Sequence, residues 1–237
     1  MARTTFLIAL NFVREQRWPI LVLLLWVLVM TGLGLTVNVR TDREDLLVIF
    51  KQLAVYGLAF AVFVGGSAIH NERKTRRILG VLSKGVGRGQ YVSGLLVGII
   101  LALLLYCMCM GLTGSWVLGQ GGFSIPLLWF LMFSFFVACV LAAVVAVLFS
   151  TFLTPLFATL ASGLVLALPA VASFEFGGNW GYLIPVYPLL GPFLKAAFGA
   201  RSQVDWVSFT LATLEIVCLW LIAWLIFSQR DVAVALD

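Results

Sequence analysis

Few side chains in this 237-residue chain could do covalent or acid–base chemistry, and they are poorly placed to do it together. There is one histidine, His70, with Ser67 three residues before it in the run Gly65-Gly66-Ser67. A nucleophile and its base must converge from separate elements to within hydrogen-bond reach. Two residues three apart on one helix end do not, so a helix-cap or interface role suits both better. Cys107, Cys109, Cys139 and Cys218 all lie inside apolar runs, where cysteine behaves as a small hydrophobe. Cys107 and Cys109 are two apart and face different ways on a helix. No metalloprotease spacing, paired carboxylates or Gly-x-x-x-x-Gly-Lys-Ser/Thr phosphate loop occurs. The residues therefore offer no catalytic pair and no metal site, and the chain does not bind ATP by a phosphate loop.

One ionisable residue stands apart. Glu215 falls near the middle of a long apolar run, where a carboxylate costs several kcal/mol unless it is paired or faces a polar cavity. It could line a substrate path or meet a cationic substrate. It could equally make a buried interhelical hydrogen bond, to Thr210, Thr213 or another span.

The elements that position these residues follow from composition. The chain is 62% hydrophobic and 11% charged, with a mean hydropathy of +1.11. Soluble domains carry roughly 25% charged residues, so too few are present to cover a water-facing surface. At about 20 apolar residues per crossing, the length holds about six spans. The net charge of +5 then orients a membrane protein; it is not a footprint for nucleic acid. The first apolar run is too long for a cleavable signal peptide and is followed by no small-residue cleavage site.

Hydropathy and turn residues place the spans at 19–39, 53–70, 91–118, 125–149, 156–174 and 205–228. Before them, Phe6, Ala9, Leu10 and Val13 fall at i, i+3, i+4 and i+7, which predicts an amphipathic helix over 4–17 lying in the headgroup plane. Gly119-Gln120-Gly121-Gly122 with Pro126 separates the third span from the fourth, and Ser150, Thr151, Thr154 and Pro155 separate the fourth from the fifth. No Asp, Glu, Lys or Arg occurs between Gly89 and Phe174. Residues 182–199 are apolar but hold Pro185, Pro188 and Pro192, a poor fit to a regular span. They read as one or two short helices dipping into one interface, with a seventh span as the alternative. Gly94 and Gly98 form a small-xxx-small pair that permits close helix packing.

With the N-terminus inside, the inner segments carry ten basic and four acidic residues and the outer segments five of each. Six of the ten inner basic residues lie between Arg73 and Arg88, which makes that loop cytoplasmic. Six spans return the C-terminus to the cytoplasm, whereas a seventh would place it outside.

The same loop carries the most specific pattern. Glu72 to Gly98 reads ERKTRRILGVLSKGVGRGQYVSGLLVG. Over 72–84 it predicts a short helix with basic residues at its start and an apolar stripe of Ile78, Val81 and Leu82. Such a helix between two spans suits a groove in a cytoplasmic partner. It would also suit anionic headgroups alone. The stretch resembles the first coupling helix of the permease subunits of type-2 (ABC-2) ABC exporters. There Glu-Arg precedes an amphipathic turn, then Leu-Ser-x-Pro-Val-Ser-Arg, then an aromatic residue and a glycine entering the next span. Glu72, Arg73, Leu82, Ser83, Val86, Arg88, Tyr91 and Gly94 match without a gap. Arg76 and Arg77 stand where Gly-Thr is usual, Gly85 where Pro is, and Gly87 where Ser is; these departures make the turn more flexible.

The resemblance implies an all-α membrane protein with an N-terminal elbow helix, six spans and short re-entrant extracellular helices between spans five and six. It implies a permease in a prokaryotic inner membrane that pairs with a second permease copy or a similar chain and with two separate ATPase subunits. ATP and Mg would be bound there, and no cofactor by this chain. The ATPase-coupling residues would be Glu72, Arg73, Ile78, Val81, Leu82, Ser83, Val86 and Arg88. A largely uncharged interior favours amphipathic or lipid-like substrates. The reading from another class is a stand-alone secondary transporter or channel, which would want more intramembrane ionisable residues than Glu215.

Overall fold

The computed structural model describes residues 2–36, 43–74, 86–120, 124–176, 179–194 and 206–229, and all regular structure among them is helical. In chain order the helices are α1 (Ala2–Glu15), α2 (Arg17–Thr36), α3 (Arg43–Lys74), α4 (Arg88–Gln120), α5 (Ile125–Ser150), α6 (Pro155–Glu175), α7 (Val186–Leu194) and α8 (Trp206–Gln229). A single 3-10 turn at Trp180–Tyr182 precedes α7. Five of these are long and apolar enough to cross a membrane, and a sixth crossing results if the bent pair α1–α2 is counted as one.

The bundle is organised around α5. Its sequence is apolar on every face, the pattern of a helix surrounded by others. It packs against α3, α4, α6, α7 and α8. Of its most apolar stretch, 78% is buried, against 22% for α6 and 17% for α8, so α6 and α8 lie at the periphery with broad apolar faces for lipid. Ser124 and Pro126 start α5, and Thr151 ends it by donating both its backbone N–H and its hydroxyl to the carbonyl of Leu148. Thr154 and Pro155 open α6 at once, as the turn residues predict.

Small residues set the distances of closest approach. A Cβ on Gly65 would lie 2.8 Å from the Ala143 carbonyl oxygen and 2.9 Å from the Ala146 Cβ, both on α5. A Cβ on Gly66 would lie 2.7 Å from the Thr159 Cγ2 on α6. Two adjacent glycines of α3 therefore seat two different helices. Tyr106 of α4, fully buried, donates its hydroxyl to the carbonyl of Leu53 at 2.6 Å and ties α4 to α3. In a hydrocarbon medium, where apolar helices gain little from each other's apolarity, such close approaches and interhelical hydrogen bonds supply the specificity.

The N-terminal helix α1 meets α2 at Gln16 with a bend of 65°. It packs against the start of α4, where Gly94 accommodates Ile8 and Gly98 accommodates Phe12. The amphipathic pattern divides differently from the spacing-based reading. The residues turned into the bundle are Thr5, Ile8, Ala9 and Phe12, while Phe6 and Leu10 are exposed beside a polar strip of Arg3, Asn11 and Arg14. A helix that packs on protein with one face and on lipid with the next needs two apolar stripes, and the sequence scan registers them as one.

Two boundaries move. The helix containing the second span begins at Arg43, ten residues before Leu53, because helical hydrogen bonds are local and continue past the point where charges begin. At its other end it runs through Lys74, which places the backbone of Glu72 and Arg73 on the last turn of α3. Between α6 and α8, the described part of the apolar segment holds the nine-residue α7, about 14 Å long against a bilayer core of roughly 30 Å; residues 195–199 lie outside the described residues. Ser134 of α5 donates to the Leu189 carbonyl at 2.8 Å and pins α7 to the bundle. Pro169 lies inside α6, where its missing N–H removes the helix donor for the carbonyl of Val165.

Candidate functional site

The helices alternate in direction, so one end of the bundle gathers Arg17, Lys74, Arg88 and Gln229 and is called the basic end below. The sequence-derived partner site straddles this end. Ile78, Val81, Leu82 and Ser83 lie outside the described residues. Val86, half-buried, precedes α4, and Arg88 is its first residue. Tyr91 and Gly94 are within the next two turns, Tyr91 buried and Gly94 under α1. The motif's described end therefore sits where α1 crosses α4, a placement that the spacing alone did not indicate.

Ser67 and His70 do not form a nucleophile–base arrangement. The Ser67 hydroxyl points back along its own helix to the carbonyl of Val64 at 3.4 Å, and His70 is exposed at the basic end of α3. Cys107 and Cys139 are buried among apolar side chains. No group of three or more His, Cys, Asp or Glu that could hold a metal occurs among the described residues.

Glu215 lies on α8, 14 residues and so about four turns from the basic end at Gln229. Its Oε2 is shielded and has no hydrogen-bond partner. The two hydroxyls nearest in sequence are spent within the helix. Thr210 donates to Trp206 and Val207 carbonyls, and Thr213 to the Phe209 carbonyl at 2.8 Å. Neither provides the hydrogen bond that would make Glu215 a purely structural residue.

One opening in the bundle has no counterpart among the sequence-derived site residues. A groove of about 770 Å³ runs between α3, α6 and α7, lined by Ala54, Leu58, Val62, Gly163, Leu166, Ala167, Ala170, Val186 and Leu190 among others. Its lining is almost wholly apolar. Thr159 donates its hydroxyl to the Leu156 carbonyl of its own helix, and Tyr187 stands half-buried at the α7 end. From Thr159 to Ala170 the groove follows α6 for about 16 Å, close to half the hydrocarbon thickness of a bilayer. Its volume lies within the 300–1,000 Å³ typical of small-molecule sites, roughly. The signal for it was the stripe Gly163, Ala167 and Ala170 at i, i+4 and i+7. Small residues on one helix face leave room, but only the tertiary arrangement shows whether a neighbour takes it up. Nothing lies within 4 Å of a Cβ placed on Gly163, so here the room stays open.

Compared with models of known protein families, the chain matches none, and no curated protein matches it either. The functional reading therefore rests on the residues and on how the fold arranges them.

Proposed function

We propose that this chain is the transmembrane permease subunit of an ATP-driven exporter of the ABC-2 type. The observation that carries the reading is the crossing of α1 over α4. An amphipathic helix bent 65° from the first span lies on Gly94 and Gly98, directly beyond the Glu72–Tyr91 pattern. An amphipathic helix seated on the entry to α4, where the 72–91 pattern ends, suits an elbow helix beside a docking site for a cytoplasmic ATPase. In this reading 72–84 is the coupling helix, with Glu72, Arg73, Ile78, Val81, Leu82, Ser83, Val86 and Arg88 as its contacts. The basic end faces the cytoplasm, as do both termini. The 3-10 turn and α7 are the short extracellular helices.

The complex would hold two permease chains and two ATPase subunits, with ATP and Mg bound in the latter. Nucleotide would bias a bundle with two arrangements. The apolar groove between α3, α6 and α7 supports an amphipathic or lipid-like substrate, whose apolar part fits a slot about one leaflet deep. The test is affinity purification in mild detergent, followed by reconstitution. An ATPase subunit should copurify, and ATP should drive transport in vesicles. Absence of both overturns the proposal.

Glu215 favours a second reading, a stand-alone secondary transporter in which this carboxylate binds the coupling ion. Glu215→Gln separates the two. An exporter variant should insert and keep its ATPase, with loss confined to cationic substrates, by about tenfold or more for one lost charge contact. Loss of all flux in a protein indifferent to ATP would support the secondary transporter.

A further inference from the structure

Two tryptophans of α8 touch the start of α4 at the basic end. Trp220 donates its Nε1–H to the Ser93 hydroxyl oxygen at 3.2 Å. The Ser93 hydroxyl in turn donates to the Gly89 carbonyl at 2.9 Å. One turn further along α8, the Trp224 indole lies directly on Gly89, so closely that its Nε1 edge occupies the space of a Cβ there. Gly89 is buried by this contact. The set is closed: the two indoles, at i and i+4 on one face of α8, grip one turn of α4 through a side-chain hydrogen bond and a backbone contact.

The position of this grip gives it meaning. Gly89 follows Arg88, where the chain enters α4 from the loop, and Ser93 lies one turn inward. Over its length α8 is the least buried of the five crossing helices; at its basic end Ala223 and Phe227 are buried too, and the two indoles add the link to α4. Indoles at a helix end are common as interfacial anchors in lipid. An anchor of that kind, however, does not need a glycine beneath it or a hydroxyl aimed at its N–H. Bulk at position 89 must displace Trp224, because the indole is the obstacle nearest to it.

We infer that Trp220 and Trp224 position the last turns of α8 on the first turn of α4, so that a displacement imposed at Val86–Arg88 is carried into α8 and up to the turn bearing Glu215. This deepens the exporter reading, which supplies the agent of displacement, but the mechanical linkage itself stands without an ATPase.

A distance measurement tests this in the full-length chain in nanodiscs. Cys218, exposed one turn from Glu215 on α8, takes a spin label; Ile125→Cys, exposed at the far end of α5, takes the second. Cys107, Cys109 and Cys139 are replaced by alanine. Gly89→Leu supplies the displacement, and Gly89→Ala serves if the larger side chain prevents folding. The distance between labels should shift by about 1–2 Å, the scale of helix movements at packed interfaces. Adding Trp224→Ala, which clears the space, should abolish the shift. No shift with either substitution at Gly89, or a shift that persists without the Trp224 indole, overturns the inference. Failure of an ATPase to copurify would overturn the exporter reading and leave this result unchanged.

Discussion

The double substitution Ile78→Asp, Leu82→Asp should yield a protein that inserts and folds normally but no longer retains an ATPase subunit. Both residues belong to the apolar stripe of 72–84, and an apolar stripe four residues apart is what a helix offers to a groove. A carboxylate forced into such a groove must be desolvated without a partner, at a cost of several kcal/mol. Truncating one central anchor commonly costs 2 kcal/mol or more, so two charges should weaken binding at least about 100-fold. The measurement is copurification, followed by titration of the proposed ATPase partner against the reconstituted chain. Replacing Arg76 and Arg77 by Gln is the companion variant. If the segment simply rests on anionic headgroups, loss of these charges matters more than loss of the stripe. If it docks on a protein, the stripe dominates.

The second large effect concerns two glycines that are alike in sequence and opposite in setting. Gly65→Val should lower stability sharply, because its first obstacle is the Ala143 carbonyl, a backbone atom in the central helix that cannot swing aside. Overpacking a well-filled core costs about 1–3 kcal/mol, and a rigid neighbour places this substitution at the upper end. Gly163→Phe should leave stability nearly unchanged, since a Cβ there meets nothing within 4 Å. It should instead fill part of the groove between α3, α6 and α7 and reduce transport of amphipathic substrates. Resistance to unfolding in mixed detergent reads the first effect, and flux in vesicles of the folded protein reads the second. A stable Gly65→Val protein would contradict the packing of α3 on α5. Full transport by a folded Gly163→Phe protein would remove the groove from the substrate path.

Comparison of these sites shows what hydropathy can and cannot convey. The centres of the spans were legible, because a crossing needs a run of apolar residues whatever its neighbours are. The Ser150–Pro155 turn was legible to within one residue at each side, because turn chemistry is local. The start of α3 was not, since charge marks where a membrane boundary falls and says nothing about where a helix begins. Gly94 and Gly98 advertised a close approach without naming the partner, which proved to be α1 rather than another span. The groove was hidden for a similar reason: Gly163, Ala167 and Ala170 mark one face of α6 as narrow, but nothing in the sequence says whether a neighbouring helix fills the room. The Trp220–Ser93 bond joins residues more than a hundred positions apart and carries no periodic trace.

The seat of α1 imposes a delay on biosynthesis. Ile8 and Phe12 leave the ribosome some 86 residues before Gly94 and Gly98, on which they rest (94 minus 8 and 98 minus 12). At translation rates of roughly 5–20 residues per second, that gap lasts on the order of 4–17 s. Through that interval the apolar residues of α1 have no protein surface to cover them. The exposed Phe6, Leu7 and Leu10 give the nascent helix an affinity for the headgroup region, and the membrane surface thus acts as a holdase for α1.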